Sequence, residues 1–141
     1  MALEDVPQIA ELEKICFSDP WSGQSIASEL ENPLSLWLVA CDDGVIAGYV
    51  GSQSVMGWAD MMNLAVHPDY RRRGVGEALV SALESGLSGN GVSVLTLEVR
   101  QSNENAIALY KKMGFEQVGV RPGYYRHPKE NALILRKEWK L

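Results

Sequence analysis

Three arginines and two glycines, Arg71-Arg72-Arg73-Gly74-Val75-Gly76, fall between a strand-like run and an amphipathic one. Glycine lets a backbone turn tightly and approach an anion with no Cβ in the way. The N–H groups of such a loop, with the unpaired donors and positive dipole end of the following helix, converge on one spot. Arginines at the mouth suit a pyrophosphate or a ribose phosphate. The chemistry implied is capture of an anionic, phosphate-bearing ligand; the plain alternative is a solvated turn that caps a helix. Spacing excludes two common nucleotide motifs. A P-loop carries Lys-Ser or Lys-Thr after its last glycine, where this chain has Glu77-Ala78. A dinucleotide fingerprint needs a small residue where Leu79 stands.

Two further side chains suit proton transfer. In Val94-Leu95-Thr96-Leu97-Glu98-Val99, strand alternation puts Leu95, Leu97 and Val99 on one face and Thr96 and Glu98 on the other. An acid near the C-terminal end of a central strand is where open α/β sheets gather ligands, but a glutamate on a partly wet face fits the pattern equally. Tyr110 has Ile107 and Met113 three residues to either side, a spacing that also suits core packing. Asn103 stands where a helix N-cap is expected. Cys16 and Cys41 lie in apolar stretches and read as buried free thiols, and two cysteines with two distant histidines offer no metal-ligand spacing.

These residues need elements to position them. Asp5, Pro7 and Gln8 read as a helix start with a capping aspartate, followed by Ile9, Leu12 and Ile15 or Cys16 at helical spacing. A second helix is expected over Ser22–Glu31, stopped by Asn32-Pro33. Leu36–Cys41 and Val45–Val55 form a hairpin across Asp42-Asp43-Gly44, and Trp58–Val66 is the next strand. After the arginine-glycine loop comes a helix with Val75, Leu79, Val80 and Leu83 on one face. A strand at Val92–Val99, a helix at Asn105–Met113 closed by Gly114, and strands at Phe115–Val120 and Ala132–Arg136 complete the chain. The expectation is one mixed α/β domain over residues 1–141.

The run from Asn63 to Gly76, Asn-Leu-Ala-Val-His-Pro-Asp-Tyr-Arg-Arg-Arg-Gly-Val-Gly, resembles the acetyl-coenzyme A motif of the Gcn5-related N-acetyltransferases (GNAT). The resemblance spans Leu3 to about Arg136. It implies a mostly antiparallel central sheet flanked by helices, with the usual first strand cut down to Met1-Ala2-Leu3. It also implies acetyl-coenzyme A as co-substrate, held by Arg71, Arg72, Arg73, Gly74, Val75, Gly76 and Glu77, with main-chain contacts from Leu64, Ala65 and Val66. Leu97-Glu98-Val99-Arg100, Ser102-Asn103 and Ala108-Leu109-Tyr110 resemble the ribosomal-protein-alanine (RimI-like) branch. There the glutamate matching Glu98 is the general base, the tyrosine matching Tyr110 the general acid, and the asparagine matching Asn103 a coenzyme contact. Phe17–Ser22, Arg121–Tyr125 and Glu130–Ile134 share that likeness, which assigns Trp21, Tyr124 and Tyr125 to a peptide groove on loops beside the thioester. Asn131 departs from the branch, which carries an acid there.

The implied acceptor is a basic protein N-terminus, the alanine that begins small-subunit ribosomal protein eighteen, with lysines and small amines (polyamines, amino sugars) as alternatives and a non-catalytic acyl-coenzyme A binding module as the reading outside catalysis. Transfer needs a neutral amine, and an α-amine at a pKa of about 7.7–8.0 is easier to deprotonate than lysine at about 10.4. A tyrosine at about 10 cannot fully protonate a thiolate at about 8.5 without a cost of about 2 kcal/mol, so a hydrogen bond to the thiolate is the lighter demand. The balance of 13 basic against 18 acidic residues, net −5, suits a cationic acceptor and disfavours nucleic acid. No apolar run is long enough to span a bilayer and the first residues do not resemble a secretory signal, so the expected setting is the cytoplasm, with no membrane partner and no metal.

Overall fold

In a computed structural model that describes all of residues 1–141, one six-stranded sheet has helices on both faces. The elements run α1 (Val6–Cys16), α2 (Gly23–Glu29), β1 (Ser35–Asp42), β2 (Val45–Val55), β3 (Trp58–Val66), α3 (Val75–Gly89), β4 (Val94–Arg100), α4 (Glu104–Lys112), β5 (Glu116–Arg126) and β6 (Lys129–Glu138). Strand order is β1-β2-β3-β4-β6-β5, antiparallel except where β4 follows β3 in parallel through α3. No helix is long and apolar enough to cross a membrane.

Each face of the sheet has its own core. Leu79, Val80, Leu83 and Leu87 of α3 pack with Leu95, Leu97 and Val99 of β4 and with Tyr110 of α4. On the opposite face, Val6, Ile9 and Leu12 of α1 and Ile26 of α2 pack over Trp37, Ile46, Tyr49 and Ala65. Since the odd-numbered residues of β4 face α3, pleat alternation turns Thr96, Glu98 and Arg100 toward the face that carries α1 and α2.

Gly51 shows how closely that second core is fitted. A Cβ there would lie 2.4 Å from Cε2 of Trp37, whose ring stacks on Tyr49 at 5.7 Å and leans on Trp21 at 5.6 Å. Only glycine leaves room for the indole.

Four expectations are corrected. Asp5 does not cap α1; it ends a short 3-10 turn over Leu3–Asp5, and its Oδ2 accepts the Ala2 N–H at 2.7 Å. Met1-Ala2-Leu3 forms no residual strand, and the Met1 ammonium instead donates to the Trp37 carbonyl on edge strand β1 at 3.1 Å. Cys41 is exposed: it lies near the end of that edge strand, just past a register shift between Ala40 and Cys41, where it still pairs with Ile46. Tyr124 and Tyr125 lie on β5, not on a loop: the Pro122-Gly123 pair reads as a turn but is an irregularity inside the strand, with Gly123 at φ +61°.

Candidate active site

The sheet opens where β3 and β4 part. They pair at Trp58–Val94, Ala59–Leu95 and Asp60–Thr96, after which β3 continues to Val66 and β4 to Arg100 without bonding each other. On the other side β3 stays paired: Asn63 faces Gly51, Ala65 faces Tyr49, and the His67 N–H reaches Ala47 O at 2.7 Å. Antiparallel alternation therefore sends the main-chain groups of Ala65 to β2 and those of Leu64 and Val66 into the opening. Of the three residues expected to offer main-chain contacts, two have groups turned that way. The Val66 carbonyl already accepts from Arg71 Nε at 3.2 Å.

The arginine-glycine loop stands at one lip of the opening. Gly74 takes φ +78°, a left-handed conformation natural to glycine, and a Cβ there would meet open space. Arg72 is also left-handed, at φ +64°. The first helical bond of α3 is Ala78 N–H to Gly74 O, and the N–H groups from Arg72 through Glu77 have no hydrogen-bond partner in the protein. They form a nest of donors at the positive end of a 15-residue helix. The arginines divide their work. Arg71 folds back onto Val66 and Cys16, its Nη2 3.7 Å from Sγ, while Arg73 lies over Tyr70 at 5.4 Å. The Glu77 carboxylate takes Lys112 at 3.1 Å, which ties the start of α3 to the end of α4.

Glu98 lies on the β4 side of the opening, two residues past the last β3–β4 pair. It is about a quarter exposed and its Oε1 is 3.2 Å from Arg121 Nε. Tyr110 approaches from the other face. Its ring packs edge-on against Phe115, and its hydroxyl donates to Met61 Sδ at 3.8 Å, the first β3 residue beyond the paired stretch. Burial pushes its phenol well above the ordinary tyrosine range, so it keeps its proton at any working pH and can donate a hydrogen bond. Tyr125 stands within electrostatic reach of both Tyr110 and Glu98. Burial first, then Tyr124 and Glu98, push its own pKa up to about 12.

Tyr124 is half exposed and meets Tyr125 edge-on at 5.0 Å. The hairpin that carries them is clamped to β4. Arg100 stacks on Tyr125 at 4.3 Å, donates to His127 O and Pro128 O, and pairs with Glu130. Hydrogen bonds from Ser102 and Arg100 hold the Glu130 carboxyl below its ordinary range. Asn131 bridges Gly123 N–H and Gln101 Oε1, a task that needs one acceptor and one donor and so suits an amide. From the segment between α1 and α2, Ser18 Oγ donates to His127 O at 2.6 Å, and the Trp21 N–H donates to Glu13. Asn103 caps α4 by accepting the Ala106 N–H at 3.2 Å. No group of three or more His, Cys, Asp or Glu side chains gathers as a metal site.

Sequence reasoning missed Glu13, Arg100 and Glu130. Glu13 had a signal, since it falls four residues after Ile9 on the apolar stripe of α1. Arg100 and Glu130 are far apart in sequence and only the β4–β6 pairing brings them together.

Comparison with known proteins agrees with this geometry. The model of the acetyltransferase (GNAT) family matches residues 6–115. The [ribosomal protein bS18]-alanine N-acetyltransferase of Escherichia coli (strain K12) is 38% identical over 134 residues, 93% of this chain and 89% of that protein. A Bacillus subtilis (strain 168) relative that provisionally carries the same name is 40% identical over 136 residues, 96% of this chain and 90% of its own. The crystal structure of the ribosomal-protein-S18-alanine N-acetyltransferase from Escherichia coli superposes with a TM-score of 0.91 at 34% identity, covering 100% of this chain and 92% of that one. A sheet that parts beside a helix-capping nest of donors, and kinship over nearly the whole length, lead to one conclusion: the chain belongs to the GNAT acetyltransferase family.

Proposed function

We propose that residues 1–141 act as one acetyltransferase domain that moves the acetyl group of acetyl-coenzyme A directly to the N-terminal α-amine of a protein, the alanine that begins ribosomal protein bS18. The observation that carries this reading is the parting of β3 and β4, with unpaired donors from Arg72 to Glu77 at its lip and Glu98 and the Tyr110 hydroxyl near its floor. The nest suits a pyrophosphate, with Arg72 and Arg73 adding charge and Asn103 facing the same end of the sheet. Main-chain groups of Leu64 and Val66 suit an amide-bearing arm laid along the strand.

In this reading Glu98 accepts a proton from the acceptor amine, directly or through a water, as the N–C bond forms. The C–S bond breaks, and Tyr110 donates a hydrogen bond to the leaving thiolate sulfur. Trp21, Tyr124 and Tyr125 form the walls of the acceptor groove. The surplus of acidic residues favours a basic N-terminal tail, so turnover falls as salt rises. A ribosomal acceptor places the reaction in the cytoplasm.

The test is incubation with acetyl-coenzyme A and basic alanine-started peptides, beside the same peptides blocked at the α-amine, polyamines and amino sugars, read by mass spectrometry. Acetylation of the free α-amine is the expected result. Activity confined to the small amines or to lysine would overturn the acceptor assignment and leave the family membership standing.

A further inference from the structure

Glu13 is the one charged side chain in the interior, 1% exposed on the apolar stripe of α1. Its Oε1 accepts the Trp21 N–H at 2.8 Å and its Oε2 accepts Asn63 Nδ2 at 3.1 Å. Burying a carboxylate is costly, and an apolar side chain of similar size would fill the same space at less expense. Both partners are donors, so both oxygens are engaged as acceptors. Burial pushes this carboxyl up while the two hydrogen bonds draw it back.

The two bonds join three separate parts of the chain. Trp21 lies just before α2, and its ring leans on Trp37 in the second core. Asn63 lies on β3 beyond Asp60, on the length of strand that borders the opening. One turn further along α1, Cys16 Sγ lies 3.7 Å from the Val66 carbonyl, so α1 touches that same length of β3 at two points. Glu13 thus measures a distance: it fixes the backbone of Trp21 relative to the open edge of β3.

We propose that Glu13 is a positioning residue for the acceptor, setting the Trp21 wall of the groove against the strand along which the acyl group is presented. This rests on the peptide-acceptor reading above. Glu13 touches neither Glu98, Tyr110 nor the arginine-glycine loop, so its loss acts on the acceptor and spares the coenzyme.

The test is steady-state kinetics with a basic alanine-started peptide, both substrates varied, alongside thermal unfolding. Glu13→Leu is expected to raise the peptide KM at least about tenfold, with the acetyl-coenzyme A KM and kcat held within about threefold. Glu13→Gln keeps an acceptor for Trp21 and can meet Asn63 after that amide turns over, so it stays within about threefold of the parent throughout. Leu12→Ala, a core truncation on the same helix, serves as the control for lost stability alone and leaves the peptide KM in place. Should Glu13→Leu fail to fold, Asn63→Ala cuts the β3 end of the link and must raise the peptide KM in the same selective way. An unchanged peptide KM, a lowered apparent kcat alone as a mere loss of folded enzyme would give, or both KM values rising together overturns the inference. A parent enzyme that does not acetylate the peptide at all overturns the acceptor reading, and this inference with it.

Discussion

Tyr110→Phe separates two duties that meet in one side chain. The ring is part of the core, 5% exposed and edge-on to Phe115 at 5.5 Å, and phenylalanine keeps all of that. The hydroxyl has one partner, Met61 Sδ at 3.8 Å, and a thioether is a weak acceptor. A typical buried hydrogen bond contributes about 1 kcal/mol net, and one to sulfur contributes less. Against it stands the cost of desolvating the hydroxyl, which phenylalanine removes. The balance is within about ±1 kcal/mol, or a shift of roughly 3–4 °C in Tm for a chain of this size. A preorganised hydrogen-bond donor to developing negative charge contributes about 10²–10³-fold in rate. The substitution is therefore expected to leave Tm nearly where it was and to lower kcat by about a hundredfold or more, with both KM values little changed. Differential scanning fluorimetry and a thiol-release assay on the same preparations measure the two effects. If kcat stays within about threefold while the protein remains folded, the hydroxyl is only packing and the assignment of Tyr110 as donor is wrong.

Gly51→Ala drives a methyl into the Trp37 indole, an overpacking that costs about 1–3 kcal/mol and displaces the ring on which Trp21 leans. Calorimetry should show the lower Tm, and peptide KM should rise with it; an unchanged Tm would mean that Trp37 has room to move. Arg72→Gly relieves a left-handed residue, a gain of about 1 kcal/mol at most, while it removes a cation from the donor nest. Thermal unfolding should rise slightly as coenzyme affinity, read by calorimetric titration, falls; a gain in affinity would argue against the nest as the phosphate site. Tyr125 has a folded pKa raised to about 12 against about 10 unfolded, so the stability it supports is complete below pH 10 and lost as pH climbs toward 12. Tyr125→Phe should therefore flatten the alkaline limb of a stability–pH curve between pH 10 and 12, and an unaltered limb would sink that assignment.

How far the molecule was legible from its sequence depended on the range of the interaction. β2 and β3 begin and end where alternation and flanking turns place them, at Val45–Val55 and Trp58–Val66. Local punctuation failed where tertiary pairing overrode it. Pro122 and Gly123 look like the end of a strand, yet β6 supplies a partner on the far side and Asn131 pins the irregular stretch through Gly123. Asp5 has the chemistry of a helix cap, but the turn before it takes its carboxylate first. In the site, the arginine-glycine loop was readable as a run of unpaired donors because those donors are contiguous in sequence. The alternation that puts Glu98 opposite the α3 core was readable too, but its Arg121 partner and the nearby Tyr125 come from another strand. Glu13 left a faint trace as an acid on an apolar stripe, and nothing local names Trp21 and Asn63 as the reason for it.

The parting of β3 and β4 has a consequence for how much of the site a sequence can record. The groups that Leu64 and Val66 turn into the opening are main-chain amides and carbonyls, which are the same for every residue but proline. A ligand arm laid there reads the strand as a shape and not as a text. The side chains along it are free to answer to the two cores behind them, which is why an edge of unpaired main-chain groups is spelled in leucine and valine. Mutation of those side chains would then act on the ligand only by bending the strand. Under the proposed reading, recognition in this part of the molecule is written in geometry, and the letters belong to the fold.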